Sequence, residues 1–217
     1  LVKASNAERE AVLKKLRDTK GLEYTEALAL AIPRLGRDTR SKAREALARQ
    51  VTAPAGASLS AGFLSAYAGL VNDELLKIAQ NPDTRVRLNV AIVAARVAEG
   101  AKNAKLQPLT DALLKDPSDG IVWWALRSAR AVIPYDAGNQ LIPVIVELGR
   151  SRAGVITAVY DALAVPQGTG GNAAKVLAVT VPSVQAVVRA RVDQYKTGVP
   201  VDPVGEIRAT NYLVGKK

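Results

Sequence analysis

The 217-residue chain contains no histidine, no cysteine and no methionine, and its aromatic residues are two Trp, six Tyr and one Phe. The absence of cysteine excludes disulfides and thiolate nucleophiles, and the absence of histidine excludes every proton relay built on imidazole. Without either residue, the usual ligands of a structural zinc ion are missing. We therefore expect a non-enzymatic protein with no catalytic residues, no metal site and no cofactor.

The remaining candidates for a phosphate-binding, catalytic or metal site have simpler explanations. The glycines of residues 168–171 are not followed by the Gly-Lys-Ser/Thr that completes a phosphate-binding loop. The nearest carboxylate pairs are Asp116 with Asp119, which helix capping explains, and Asp202 with Glu206, which fall in the expected C-terminal tail. Neither pair has further oxygen ligands at the spacing of a metal site.

Aliphatic residues dominate what is present, since 48% of the chain is hydrophobic and only 4% is aromatic. The longest uncharged run, residues 50–72, contains proline, glycine and serine, and only its second half is well filled with apolar residues. A spanning helix needs about 20 mostly apolar residues. We therefore expect a loop leading into a buried helix here, and no membrane span.

The net charge of +10 is concentrated at the two ends of the chain. Residues 1–50 hold twelve basic and seven acidic groups and residues 140–217 hold nine and five, whereas residues 51–139 hold nine and eight. A basic excess suits an acidic protein partner, an anionic surface or a nucleic acid.

Helix signals recur along the chain, whereas strand signals are scarce. Asp83 is expected to cap a long helix, Ser118 or Asp119 to begin another, and Ser151 to cap a third. Near the C-terminus, Asn172 is expected to cap a short helix and Pro182 to open the last one. The sequence therefore predicts an all-α protein.

Apolar residues in these helices recur at a fixed interval of 34 or 35 residues. The recurring sets are Val86, Ile121 and Val155, then Val90, Ala125 and Val159, and finally Ala94, Ala129 and Leu163. A helix pair repeated every 30–45 residues is typical of an α-solenoid, in which each pair buries its apolar face against its neighbours.

The segment Asn81-Pro82-Asp83-Thr84-Arg85-Val86-Arg87, followed by Ala91, Ala94 and Ala95, resembles the second helix of a HEAT repeat. A weaker copy begins at Asp116-Pro117-Ser118 and has Val122 where Arg87 stands in the first. Residues 13–49 also resemble stretches of bacterial HEAT-repeat proteins, many of which are exported. The resemblance implies a right-handed stack of helix pairs that is used mainly to bind other proteins.

The expected domain organisation is one HEAT-like helical-repeat domain over residues 1–197, followed by an extended C-terminal arm over residues 198–217. Within the domain, we expect N-terminal helices over 1–50, a loop and helix over 51–72, the best-defined repeats over 73–165 and C-terminal helices over 172–197. Residues 164–172 are expected to form a flexible break.

The dipeptide Trp123-Trp124 is the most unusual feature of so aromatic-poor a chain, and arginines follow it at positions 127 and 130. Trp and Arg are the residues of interface hot spots, although the two rings could instead fill gaps left by alanines. Further arginines lie on the second helices, and the arm carries apolar residues that could order on a partner. The candidate partner-binding residues are Trp123, Trp124, Arg127, Arg130, Arg85, Arg87, Arg96, Ile207, Arg208, Tyr212 and Leu213.

The sequence favours a protein–protein interaction scaffold or an assembly subunit of a larger complex or filament, with acidic protein surfaces as partners and self-assembly as one option. The alternative is a nucleic-acid-binding protein that uses the basic ends of the chain, namely Arg37, Arg40, Arg44, Arg189 and Arg191. A third option, a base-excision enzyme, would need Asp119 or Asp136 beside the Trp pair.

The chain starts at Leu1 and so has either been processed or is a fragment. Removal of a secretory signal is the commonest form of processing. On that ground an extracytoplasmic location is expected over a cytoplasmic one.

Overall fold

The computed structural model describes residues 44–52, 59–164 and 173–214, and within these ranges the chain is all-helical with no β-strand. The all-α prediction is confirmed. After a short helical stretch at residues 44–49, eight helices follow: α1 (Ala61–Leu76), α2 (Thr84–Ala101), α3 (Gln107–Leu114), α4 (Asp119–Val132), α5 (Leu141–Ser151), α6 (Ile156–Leu163), α7 (Ala173–Lys196) and α8 (Pro203–Val214). Turns of 3-10 helix at Ile133–Tyr135 and Ala153–Val155 follow α4 and precede α6.

The helix starts in the middle of the chain follow local capping chemistry. The Asp83 carboxylate accepts from the Arg85 amide at 2.8 Å and begins α2, as predicted. Ser118 occupies the position before α4, and Pro108 lies in the first turn of α3, where a missing amide costs little. The Ser60 hydroxyl accepts from the Phe63 amide at 3.1 Å, so the helix expected in the second half of residues 50–72 lies within α1.

The helices contact one another in two rows. In the odd row, α1 contacts α3, α3 contacts α5, and α5 contacts α7. In the even row, α2 contacts α4, α4 contacts α6, and α6 contacts α8. Each odd helix also contacts the even helix that follows it, and the contact between α2 and α4 is the most extensive.

The core of the even row coincides with the predicted 34–35-residue recurrence. All nine recurring positions are buried, and the most exposed of them, Val86, retains 5% of its surface. Three of the nine are alanines, which have no side chain beyond Cβ and so let neighbouring helices approach closely. The recurrence therefore marks positions at which successive even helices bury apolar surface.

A polar network joins the turns that precede the even helices. The Arg87 guanidinium donates to the Asp116 carboxylate and to the Asn81 carbonyl, each at 2.7 Å. The same Asp116 carboxylate accepts from the Ser118 amide at 2.8 Å, and the Asp116 carbonyl accepts from Arg152 at 2.7 Å. Because Asp116 is only 7% exposed, the two donors to its carboxylate, Arg87 and the Ser118 amide, compensate the cost of burying its charge.

The prediction of an extended arm over residues 198–217 is wrong for residues 203–214, which form α8 and pack against α6 and α7. The Asp202 carboxylate accepts from the Gly205 amide at 3.1 Å, and Pro203 begins the helix with its φ already restricted. The buried face of α8 consists of Gly205 and Ala209, whose small size leaves no apolar stripe to read in the sequence.

Polar contacts fix α8 to its neighbours. The Glu206 carboxylate accepts from the Tyr160 hydroxyl at 3.2 Å and from the Tyr195 hydroxyl, and Thr157 donates to Asp202 at 2.7 Å. Burial, followed by the negative charge of Glu206, raises the pKa of Tyr160 far above its usual value. The Tyr160 phenol therefore remains protonated and continues to donate to Glu206.

Two other predicted helix boundaries are wrong. The last helix does not open at Pro182, because α7 runs through it; the Pro182 side chain is exposed, and the Ser183 hydroxyl donates to the Val179 carbonyl at 2.7 Å. Ser151 does not cap α6 but ends α5, where its hydroxyl donates to the Glu147 carbonyl at 2.8 Å. The expected helices before residue 44, the break at 164–172 beyond residue 164, and the cap at Asn172 lie outside the described residues.

Replacing Gly149 with alanine is expected to destabilise the protein by about 1–3 kcal/mol through overpacking. A Cβ at this position would lie 2.7 Å from a Val187 methyl group on α7 and 3.0 Å from a Val159 methyl group on α6. Urea unfolding followed by circular dichroism measures the change. The matched control is Gly69→Ala, where a Cβ meets nothing within 4 Å. We expect this substitution to raise the free energy of unfolding by about 0.5–1 kcal/mol, because glycine loses more backbone entropy than alanine when a helix forms. Equal effects of the two substitutions would contradict the close approach at Gly149.

Replacing Asp202 with alanine is expected to destabilise the protein at pH 7 by about 1–2 kcal/mol, because α8 loses its N-terminal cap. Burial opposes the charge of Asp202, but hydrogen bonds from Thr157, Gly205 and Val204 outweigh it and hold the pKa of this carboxyl below its usual value.

A carboxyl with a lowered pKa stabilises the fold above its unfolded-state pKa, and that stabilisation disappears as the pH falls through the folded-state pKa. The difference between wild type and Asp202→Ala should therefore be constant near neutrality and shrink below about pH 4. Thermal unfolding at a series of pH values checks this. Asp193→Ala, at an exposed carboxylate paired with Lys196, should change stability by less than about 0.5 kcal/mol.

Candidate protein-binding groove

The even row carries an open groove of about 360 Å³, formed where the end of α2, the outer side of α4 and α6 meet. Its apolar wall comes mainly from α4, the 3-10 turn after it and α6: Trp123, Leu126, Ala131, Pro134, Ala158 and Ala162. Its polar rim comes from the same elements and the end of α2: Glu99, Lys102, Arg127, Arg130, Tyr135 and Asp161. We refer to this feature as the α4 groove.

The two tryptophans play different parts in the α4 groove. Trp123 lines it and is 42% exposed, whereas Trp124 is partly buried and packs against the hydrophobic core. The rings meet edge to face, with centroids 5.1 Å apart and planes at 85°. The Arg127 guanidinium lies 5.3 Å from the centroid of the Trp124 ring. Trp124 and Arg127 thus support the wall on which Trp123 is presented.

Both tryptophans are predicted binding residues, and the structure gives the more exposed position to Trp123. Adjacent residues of a helix point about 100° apart, so the face of α4 that packs on the core determines which ring is outward. Ile121, Val122 and Ala125 are all fully buried on that face.

Ion pairs neutralise both acidic groups of the rim. Arg127 pairs with Glu99 from α2, and Arg208 from α8 pairs with Asp161 from α6. Across the described parts of the chain, neither Lys102 nor Arg130 forms an ion pair, although both side chains are exposed. The α4 groove therefore presents two cations that no carboxylate of the described residues balances.

Three of the predicted site residues on the second helices lie away from this groove. Arg87 is bound to Asp116 and to the Asn81 carbonyl and supports the turns, and only 13% of its side chain is exposed. Arg85 is exposed and Arg96 is half-buried, but neither lines the groove. Of the predicted arginines, the groove brings together only Arg127 and Arg130.

Sequence reasoning missed Glu99, Lys102 and Tyr135. No motif marks them, because they reach the groove only through the contact of α2 with α4 and through the 3-10 turn. One local signal places Lys102 at a helix end, because Gly100 lies in the last turn of α2. In the structure Lys102 follows α2 with a left-handed backbone, at a φ of 49°.

The predicted binding residues of the C-terminal segment mostly anchor α8 instead. Arg208 pairs with Asp161, the Tyr212 and Thr180 hydroxyls are 2.9 Å apart, and Leu213 packs against the core. Ile207 is the large hydrophobic side chain of the four that points outward, with 60% of its surface exposed. The expectation that all four lie on a free arm is therefore wrong.

The basic residues that were candidates for binding a nucleic acid differ in how far they are exposed. Arg191 is only 2% exposed, with its guanidinium 5.0 Å from the Tyr195 ring centroid, and Arg44 donates to the Asn89 side chain at 2.7 Å. Arg189 is exposed, and Arg37 and Arg40 lie outside the described residues.

The carboxylates considered for a base-excision site do not line the α4 groove. Asp119 pairs with Arg152, and Asp136 accepts from the amides of Gly138 and Gln140. Over residues 44–52, 59–164 and 173–214, no three His, Cys, Asp or Glu side chains cluster as metal ligands would. The same residues include no helix with both the length and the apolar composition needed to cross a membrane.

Replacing Trp124 with alanine is expected to cost about 2 kcal/mol of stability, because its ring packs against the core and supports Arg127. Trp123→Ala should cost less than about 1 kcal/mol, because its ring is largely outward. Urea unfolding monitored by circular dichroism compares the two variants. A larger loss from Trp123→Ala would mean that the inward and outward roles are reversed.

In comparisons with known proteins, no family model, no curated protein and no solved structure matches this chain. The resemblance to HEAT repeats therefore rests on the residues of the sequence itself, and the function is argued from the geometry of the described residues.

Proposed function

We propose that this protein is a non-enzymatic, HEAT-like α-solenoid that serves as a protein–protein interaction scaffold or as an assembly subunit. The solenoid is supported by the two rows of contacts, in which each helix pair packs on the preceding pair. It is also supported by the burial of all nine positions of the 34–35-residue recurrence. In a solenoid, one row of helices forms a continuous surface on which partners dock.

The observation that carries the binding function is the α4 groove. A large aromatic ring is exposed there beside two cations that form no ion pair with any residue the structure describes, on a wall supported by the fully buried side of α4. Trp and Arg contribute disproportionately to binding energy at protein interfaces. Exposing them together on a well-packed helix is difficult to explain by stability alone.

Exposed apolar side chains on the final helix support the role of an assembly subunit. Val204, Ile207 and Val214 on α8, together with Val201 just before it, are each more than half exposed. Because α8 follows α6 in the even row, these residues lie on the last described helix of that row, where a further helix pair or another subunit could stack.

Placing a photo-crosslinking amino acid, p-benzoylphenylalanine, at position 123 tests the scaffold function in the cells from which the protein comes. We expect one or a few protein adducts of defined mass after irradiation, because a docked partner covers the α4 groove. Adducts are separated on gels and identified by mass spectrometry.

The matched control places the same amino acid at Leu76, which is 39% exposed and lies on α1 in the odd row. Adducts at position 123 that are absent at position 76 support docking at the groove. No adduct at position 123, or the same adducts at both positions, would count against a partner that binds there.

A further inference from the structure

We propose that the α4 groove binds an acidic linear peptide segment of a partner protein, with an apolar side chain packed on Trp123 and a neighbouring Asp or Glu carboxylate paired with Arg130. This inference rests on the proposed scaffold function and specifies the chemistry of the partner. It follows from which charges of the groove are already balanced and from the size of the space beside them.

The balance of charge excludes a basic ligand. Glu99 and Asp161, the acidic groups of the rim, are both held in ion pairs by arginines of this chain. The cations that remain are Arg130 and Lys102, which have no ion pair within the described residues. A ligand that brings carboxylates satisfies them, whereas a ligand that brings cations would have to break the existing pairs first.

The size of the groove favours a peptide over a folded surface. At about 360 Å³, it lies at the small end of the range for ligand sites and has room for one or two side chains. Its apolar wall, which includes Trp123 of α4 and Ala158 and Ala162 of α6, suits an aromatic or aliphatic side chain. The cationic rim lies beside that wall, so the carboxylate must be a near neighbour in the ligand sequence.

The groove is preorganised for such a ligand. Arg127 is fixed by Glu99 and by the Trp124 ring, and α4 is held by fully buried side chains on its opposite face. A rigid site loses little conformational freedom on binding, and an arginine can bind a carboxylate through two parallel hydrogen bonds. A single-stranded nucleic acid would need several exposed rings along a denser row of cations, whereas the groove has the exposed ring of Trp123 and the half-buried ring of Tyr135.

The test is selection of a random twelve-residue peptide library, displayed on phage, against the intact protein. Selected peptides are synthesised with amidated C-termini, so that any carboxylate they carry belongs to a side chain. Their dissociation constants are then measured for wild type, Trp123→Ala and Arg130→Gln. Arg189→Gln is the matched control, because Arg189 is also exposed but lies on α7 outside the groove.

We expect selected peptides to be enriched in Asp or Glu next to an aromatic or aliphatic residue. Their affinity should fall about tenfold or more in Arg130→Gln and in Trp123→Ala, remain unchanged in Arg189→Gln, and weaken as salt is raised. Replacing their acidic residues with Gln or Asn should reproduce the effect of Arg130→Gln.

The two proposals fail in different ways. The proposal of an acidic ligand would be contradicted by peptides that require Trp123 but show no enrichment in Asp or Glu, or that bind Arg130→Gln as tightly as wild type. Either result would leave the proposed scaffold function intact. If no selected peptide depends on Trp123, the acidic-peptide site is overturned, and the crosslinking at position 123 decides separately whether a folded partner docks there.

Discussion

The close packing of small residues between α2 and α4 is the constraint on which the rest of the structure depends. Ala91, Ala94 and Ala95 of α2 and Ala125 and Ala129 of α4 have no exposed surface, and the contact between these helices is the most extensive in the described chain. Because alanine has no side chain beyond Cβ, the helices approach closely, and larger residues at these positions would force them apart. With no disulfide or histidine-bound metal available, such packing is the main source of stability.

That packing also determines which side chains of α4 are exposed to solvent. Once Ile121, Val122 and Ala125 are committed to the core, Trp123 points outward and Arg127 and Arg130 follow on the exposed side of the next turns. The groove is therefore a consequence of the order of the helices in the even row, since α2 and α6 line it together with α4, which both of them contact.

The sequence predicted those parts that depend on local chemistry or on periodic burial, such as the Asp83 cap and the recurrence through Val90, Ala125 and Val159. It does not predict features that depend on contacts between residues far apart in the chain. The pairing of Arg87 with Asp116 crosses 29 positions and leaves no local signal, so the sequence does not show that this guanidinium supports the turns. The sequence does not predict helix α8, because the buried face of this helix is Gly205 and Ala209. It does indicate Trp123, Arg127 and Arg130, but not Glu99, whose carboxylate accepts from Arg127.

The buried guanidinium of Arg191 has a consequence for how helices α7 and α8 unfold. Its charge, carried by α7, helps to lower the pKa of Asp202 at the start of α8, and the Tyr195 ring beside it donates its hydroxyl to Glu206 of α8. Without α8, the cation would lose these acidic neighbours while remaining against α7. The helices α7 and α8 should therefore open together as one cooperative unit, instead of α8 opening alone.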